Sequence, residues 1–239
     1  MTKVTPYNSK EGKKKQVTKM FDNIAGSYDF LNHTLSLGMD NIWRKIAIKE
    51  LSNKPATILD IATGTADFAI SASKYTNATI TGIDISQGML DVGVEKITKK
   101  RLTNRIQLQL ADSEKLPFQD NSYDAITAGF GVRNFEDLNK GLSEMYRTLK
   151  SGGKVAILEP SEPTNFPLKQ FYNLYFHHIL PFIGGIISKD KNAYTYLPDS
   201  VSAFPSGKDF LTELDKVGFK ESKHIPLTFG IVSLYIAIK

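Results

Sequence analysis

Cysteine is absent from the chain, which excludes disulfides, thiolate metal ligands and cysteine nucleophiles. Tryptophan occurs once, at Trp43. No apolar run approaches the length of a membrane span. Residues 1–16 are polar and lysine-rich, without the apolar centre of a signal peptide. These absences point to a cytoplasmic protein. Neither sign of charge dominates, since the net charge is +5 over 239 residues and lysines 10, 13, 14, 15 and 19 supply much of it. The other basic residues are dispersed rather than interleaved with aromatics along one face, which argues against nucleic acid as a partner. The lysine run reads as a flexible, solvated tail over residues 1–16, with transient contact with the inner face of the cytoplasmic membrane as its functional alternative. The remaining residues, 17–239, suit one α/β domain with an insertion.

What is present is organised around Ile58 to Asp84. Ile58-Leu59-Asp60-Ile61 is a short apolar run of the kind that makes a buried parallel strand. Ala62 to Asp67 is a turn of small residues, Phe68 to Tyr75 reads as a helix, and Ala78 to Ile83 forms a second strand ending in Asp84. Strand, small-residue turn, helix, strand and acid make half of a nucleotide-binding unit. An acid about 20 residues past the turn accepts hydrogen bonds from ribose hydroxyls. A dinucleotide pyrophosphate demands closely spaced glycines, whereas this turn holds only Gly64, flanked by Ala62 and Ala66. S-adenosylmethionine has a ribose but no phosphate, so the turn favours it over NAD. Backbone N–H groups near the turn can take its carboxylate, and Asp60 or Asp67 can balance its ammonium.

Val17 to Ala25 predicts a first helix. Tyr28 to Gly38 is a polar and aromatic loop, and Asp40 to Leu51 is a second helix; together they form a helical lid over residues 17–52. Ser86 is a plausible N-cap for a helix reaching Lys100. Strands follow at 105–110, 123–128 and 154–159, with a helix over 136–149. Helical crossovers between strands imply a parallel sheet with right-handed connections. Residues 162–200 interrupt this pattern with an aromatic-rich, substrate-side insertion. Its Phe171, Tyr172, Tyr175, Phe176 and Phe182 read as both core and pocket. After a helix over 209–217, strands at 219–225 and 231–238 are too close for a helical crossover and make an antiparallel hairpin. A mostly parallel, Rossmann-like sheet of seven strands ending in such a hairpin is the pattern of class I methyltransferases.

Tyr28-Asp29-Phe30-Leu31-Asn32 through Leu35-Ser36 to Trp43-Arg44 resembles the N-terminal signature of the quinone-biosynthesis C-methyltransferases. Arg147 to Gly153 through Leu158-Glu159-Pro160-Ser161 is similar to the second signature of that family. Ala111 to Phe118 and Phe130-Gly131-Val132-Arg133-Asn134 match as well, so the resemblance spans roughly residues 17 to 238. It implies S-adenosylmethionine as cofactor and a polyprenylated quinol as substrate. The expected reaction is C-methylation of demethylmenaquinol to menaquinol, in menaquinone biosynthesis. A methoxy-polyprenyl-benzoquinol of ubiquinone synthesis is the alternative acceptor, and a non-catalytic, cofactor-binding scaffold the alternative class. A homodimer is compatible with the resemblance, and no metal is expected.

Carried over residue by residue, the family's cofactor contacts fall on Thr65, Asp84, Asp112 and Ser113. Gly64 and Gly129 supply backbone there; many family members have serine in place of Gly129. Methyl transfer to a ring carbon needs the quinol to lose a proton, and needs a positive or hydrogen-bonding environment for the oxyanion. Arg133 and Asn134 are the first candidates. Arg133 would act as a charge stabiliser that organises a water, because a guanidinium is almost never a base, and Asn134 would hold the quinol oxygen. Tyr28 and His33 on the entrance segment, and His178 in the insertion, are further candidates, since a histidine can accept the proton directly.

Overall fold

The computed structural model describes residues 4–7, 9–51, 54–174 and 191–239. The strands are β1 (Thr57–Ile61), β2 (Thr79–Asp84), β3 (Ile106–Leu110), β4 (Tyr123–Gly129), β5 (Leu149–Pro160), β6 (Lys220–Leu227) and β7 (Val232–Ile238). The helices among the described residues include α1 (Lys13–Leu35), α2 (Met39–Glu50), α3 (Asp67–Tyr75), α4 (Gln87–Lys99) and α5 (Leu138–Thr148). Then come α6 (Leu168–Leu174), α7 (Lys191–Ala203) and α8 (Lys208–Val217). The seven strands form one sheet in the order β3-β2-β1-β4-β5-β7-β6. Strands β1 to β5 pair in parallel, and β7 lies antiparallel between β5 and β6, so the sheet architecture and its terminal hairpin match the expectation.

Both faces of the sheet are covered, which is why its strands read as near-continuous apolar runs. Ile58 and Ile80 point into one layer with Trp43 and Ala47 of α2 and Phe68 of α3. Leu59, Ile61, Ile126 and Ile157 point into the other, with Leu142 of α5 and Phe210 and Leu214 of α8. Each fully buried Leu or Ile side chain contributes roughly 1.5–3 kcal/mol. The strand ends are thereby fixed as a rigid rim.

Two expectations at the N-terminus need correction. The first helix runs from Lys13 to Leu35, through most of the segment read as a loop. Its apolar face (Val17, Met20, Ile24, Ala25) packs on Met89 of α4 and on Ala193 and Tyr196 of α7, and Tyr28 meets Phe21 edge-on at 6.0 Å. The helix stops where Leu37 and Gly38 take left-handed backbone (φ 52 and 75). Nor is the lysine tail solvated throughout. Lys13 Nζ donates to the carbonyls of Arg133 (2.8 Å) and Phe135 (3.0 Å), and Gln16 is buried. Lysine is the right residue for this, since its long stem reaches across while its ammonium caps carbonyls of a neighbouring turn.

In the insertion, Tyr172 is buried. Tyr175, Phe176, His178 and Phe182, and the side chain of Phe171, lie outside the described residues. No helix among the described residues is long and apolar enough to cross a membrane.

Candidate active site

The turn after β1 is tight because three of its residues take left-handed backbone: Ala62 (φ 51), Gly64 (φ 55) and Ala66 (φ 67). Two are alanines, each held there at a cost of about 1–2 kcal/mol. The turn is pinned by Thr63 N–H to the carbonyl of Ile83 at 2.9 Å. Across from it, the loop leaving β4 comes so close that a Cβ on Gly131 would lie 2.4 Å from that of Ala62. Glycine is required there by that approach.

Asp84 ends β2 beside this turn. One of its carboxylate oxygens accepts from Gly64 N–H and the other from Ser86 N–H, both at 2.9 Å. Burial raises its pKa, and the surrounding N–H donors work against that rise. Ser86 in turn caps α4 by accepting from Met89 N–H at 3.1 Å.

A cavity of about 630 Å³ opens at these carboxyl-terminal strand ends, where ligands sit in open α/β sheets. Of the residues singled out from sequence, Tyr28, Gly64, Asp84, Asp112, Ser113, Gly129 and Asn134 line it. Asp112 holds Lys14 Nζ at 2.7 Å, so the first turn of α1 is fastened to the cavity rim. Tyr28 is half-buried, and burial raises the pKa of its phenol against a hydrogen bond from Asn32 and the charges of Arg133 and Arg44.

Asn134 sits in a single helical turn after β4, in a buried position. Its Oδ1 accepts from the Tyr196 hydroxyl at 3.0 Å. Its Nδ2 is buried with no hydrogen-bond partner among the described residues. A buried amide left without a partner costs about 1–3 kcal/mol, and this one lies on the cavity wall.

Five expected site residues among those described do not line this cavity: Asp60, Thr65, Asp67, His33 and Arg133. Asp60 is fully buried, with its oxygens taken by the hydroxyls of Thr63 (2.5 Å) and Thr127 (2.6 Å). Burial pushes its pKa up to about 6 against those two donors. Thr65 is buried and its hydroxyl donates to Asp29 of α1, with Lys96 Nζ 3.1 Å away. It fastens the lid rather than facing the cavity. Asp67 pairs with Lys96 as well (2.5 Å).

His33 has Nδ1 2.9 Å from Asp40 Oδ2, a contact off hydrogen-bond geometry, and Nε2 3.8 Å from Asp67. The three could group around a metal ion. Arg44 already pairs with both acids (2.5 and 3.7 Å) and Lys96 with Asp67. Their negative charge is thus matched by cations of the protein.

Arg133 is the largest departure. Its guanidinium turns to Glu159 Oε2 (2.9 Å), Ser200 Oγ (3.3 Å) and the carbonyl of Phe130. It lines a second cavity of about 710 Å³ instead. Glu159 is buried to 1% exposure, which raises its pKa while Arg133 opposes the rise. A buried carboxylate needs such a partner, and that need sets the direction of Arg133.

Sequence reasoning missed Glu159 and Tyr196 as parts of this arrangement. An acid ending the apolar run Val155 to Leu158 was the available signal for Glu159. Nothing local marked Tyr196.

The family model of the ubiE/COQ5 methyltransferase family matches residues 8–239. The demethylmenaquinone methyltransferase of Bacteroides fragilis is 49% identical over 239 residues, covering 99% of this chain and 98% of that protein. Its counterpart of the same name from Porphyromonas gingivalis is 42% identical over 240 residues, with the same coverage. The ubiquinone/menaquinone biosynthesis C-methyltransferase UbiE of Geotalea daltonii is 46% identical over 230 residues, covering 95% of this chain and 97% of that one. Among solved structures, a SAM-dependent methyltransferase from Aquifex aeolicus aligns at a TM-score of 0.56 and 19% identity, covering 82% of this chain and 88% of that one. The Haemonchus contortus phosphoethanolamine N-methyltransferase 2, in complex with S-adenosyl-L-methionine, aligns at 0.59 and 19%, covering 82% and 52%. These two likenesses concern the fold alone.

Proposed function

The chain belongs to the ubiE/COQ5 methyltransferase family, and on that premise we propose that it methylates a ring carbon of demethylmenaquinol, giving menaquinol, with S-adenosylmethionine as methyl donor. The observation that carries this reading is that the buried carboxylate of Asp84 and the unpartnered amide of Asn134 line one cavity.

The residues present fit the cofactor. Asp84 is held in place by two backbone N–H groups and keeps lone pairs for ribose hydroxyls. Asp112 and Ser113 line the same wall beyond β3 and would meet the adenine edge. Gly64 and Gly129 let the backbone come close. When bound, the cofactor supplies an electrophilic methyl group on sulfur.

The chain's own task is to bind the quinol, exclude water and favour the ionised oxygen that makes its ring carbon nucleophilic. Asn134 Nδ2 would donate to that oxygen, and a donor aimed at developing charge in a buried site is worth far more than one in water. Tyr28 remains protonated because burial raises its pKa, so it acts as a second donor and not as a base. Arg133 acts only at a distance, since Glu159 holds its guanidinium.

The test is an anaerobic assay with S-adenosylmethionine and a short-chain demethylmenaquinol, with the corresponding benzoquinol in competition, read by mass spectrometry. Methylated naphthoquinol is expected from the wild type. Asn134→Ala should lower turnover by about 10²–10³-fold, leaving a measurable rate, and keep cofactor affinity. A wild-type protein that binds the cofactor yet methylates neither quinol would overturn the reading and favour a scaffold.

A further inference from the structure

Helix α7 grips two successive residues of the turn after β4. Tyr196 donates to Asn134 Oδ1 at 3.0 Å. One turn further along, Ser200 Oγ receives Arg133 Nε at 3.3 Å and itself donates to the carbonyl of Leu197 at 2.8 Å. Residues four apart share one face of a helix, so a single face of α7 meets both side chains. The guanidinium is sent toward Glu159 and the amide toward the cavity.

An asparagine amide can sit in either of two orientations, with its oxygen or its nitrogen outward. The Tyr196 hydroxyl decides between them. Tyr196 is 3% exposed and packed against Val17, Met20 and Met89 beneath α1. Its phenol is pushed up to about 12 by burial, against the attraction of Arg133, so it keeps its proton at any working pH. A buried hydroxyl must donate somewhere, and its hydrogen bond is to Asn134. The oxygen of the amide is thereby committed to Tyr196, and both N–H groups are left for the cavity side, where no partner among the described residues meets them.

We propose that Tyr196 is a positioning residue which clamps Asn134 Oδ1 and so presents the Asn134 amide to the cavity as a fixed donor, selecting a substrate oxygen that accepts. An ionised quinol oxygen is the strongest such acceptor; a neutral hydroxyl also accepts, but more weakly, so the fixed donor favours the ionised form. This rests on the quinol reading above and adds to it the residue that sets the polarity of the site.

The test is a double-mutant cycle with Tyr196→Phe and Asn134→Ala, each assayed for kcat and kcat/KM on demethylmenaquinol across pH, for cofactor affinity and for Tm. Loss of one neutral hydrogen bond predicts a fall of up to about tenfold in kcat/KM for Tyr196→Phe. The acidic limb of its kcat profile, which reports the quinol in the complex, should shift upward, because the bound ionised oxygen loses an oriented donor. In the Asn134→Ala background the same substitution should change kcat/KM less than about twofold, because nothing is left to orient. Cofactor affinity should match wild type throughout. A destabilising effect of Tyr196→Phe would lower Tm in both backgrounds and leave this coupling unchanged. Full additivity in kcat/KM, or an unshifted pH limb, overturns the role of Tyr196 while the quinol reading stands. Wild-type protein inactive on quinols overturns both.

Discussion

Lys14, in the first turn of α1, places its ammonium 2.7 Å from Asp112 at the rim of the cavity and 3.0 Å from Glu114. The helix that covers the cavity is therefore tied to the wall expected to hold the adenine. The lysine side chain is 32% exposed, and pairs of that exposure contribute about 0.2–1 kcal/mol. Lys14→Met should accordingly speed cofactor release a few-fold, measured by stopped flow, with Tm lowered by no more than a few degrees.

Asp84 is the carboxylate on which cofactor affinity depends. Hydrogen bonds to a charged group are worth about 1.5–3 kcal/mol, so Asp84→Asn should raise the cofactor Kd roughly tenfold to a hundredfold by calorimetry. Because the asparagine oxygen can still accept from Gly64 or Ser86, the variant should fold. An unchanged Kd would remove Asp84 from the site.

Arg133 and Glu159 are a buried pair, and removing one partner from such a pair typically costs about 3–5 kcal/mol. Arg133→Met should therefore show a large loss of stability in urea unfolding. Combining it with Glu159→Gln should restore much of that loss. Activity of the double variant, once folded, then measures any electrostatic help that Arg133 gives at a distance.

Asp60 gives a pH signature of known sign. Its folded pKa is raised from 3.8 to about 6 by burial, so between those values the native state binds more protons than the unfolded chain. Stability is greatest below pH 3.8 as far as this group is concerned and is lost as the pH rises through about 6. The expected size is on the order of 1–3 kcal/mol. Asp60→Asn should flatten this part of the difference in stability, checked by denaturant titrations from pH 4 to 7.

How much of this was legible in the sequence depends on the range of the interactions concerned. Ile58 to Ile61 and Ile80 to Asp84 announced themselves because both faces of the sheet are covered, and the spacing of Gly64 and Asp84 located the cavity. The helical course of Tyr28 to Leu35 was hidden. Its polar residues are satisfied by distant partners, as Asp29 is by Thr65 and Lys96, and local composition suggested a loop. The direction of Arg133 depends on a carboxylate 26 residues away and the orientation of Asn134 on a hydroxyl 62 residues away. Side-chain aim of this kind is a property of the packed molecule. A motif places residue types at the rim and leaves open which of them turns inward.

The position of β7 inside the sheet, between β5 and β6, bears on biosynthesis. Until residues 232–238 have been made, one whole flank of Lys154–Pro160 is an open template of unpaired N–H and C=O groups, edged with Val155, Ala156, Ile157 and Leu158. Nascent chains stalled before that point carry a flat, greasy border of the type that recruits other strands into aggregates. Ribosome stalling or premature termination late in translation should thus yield insoluble product rather than a shortened but folded protein.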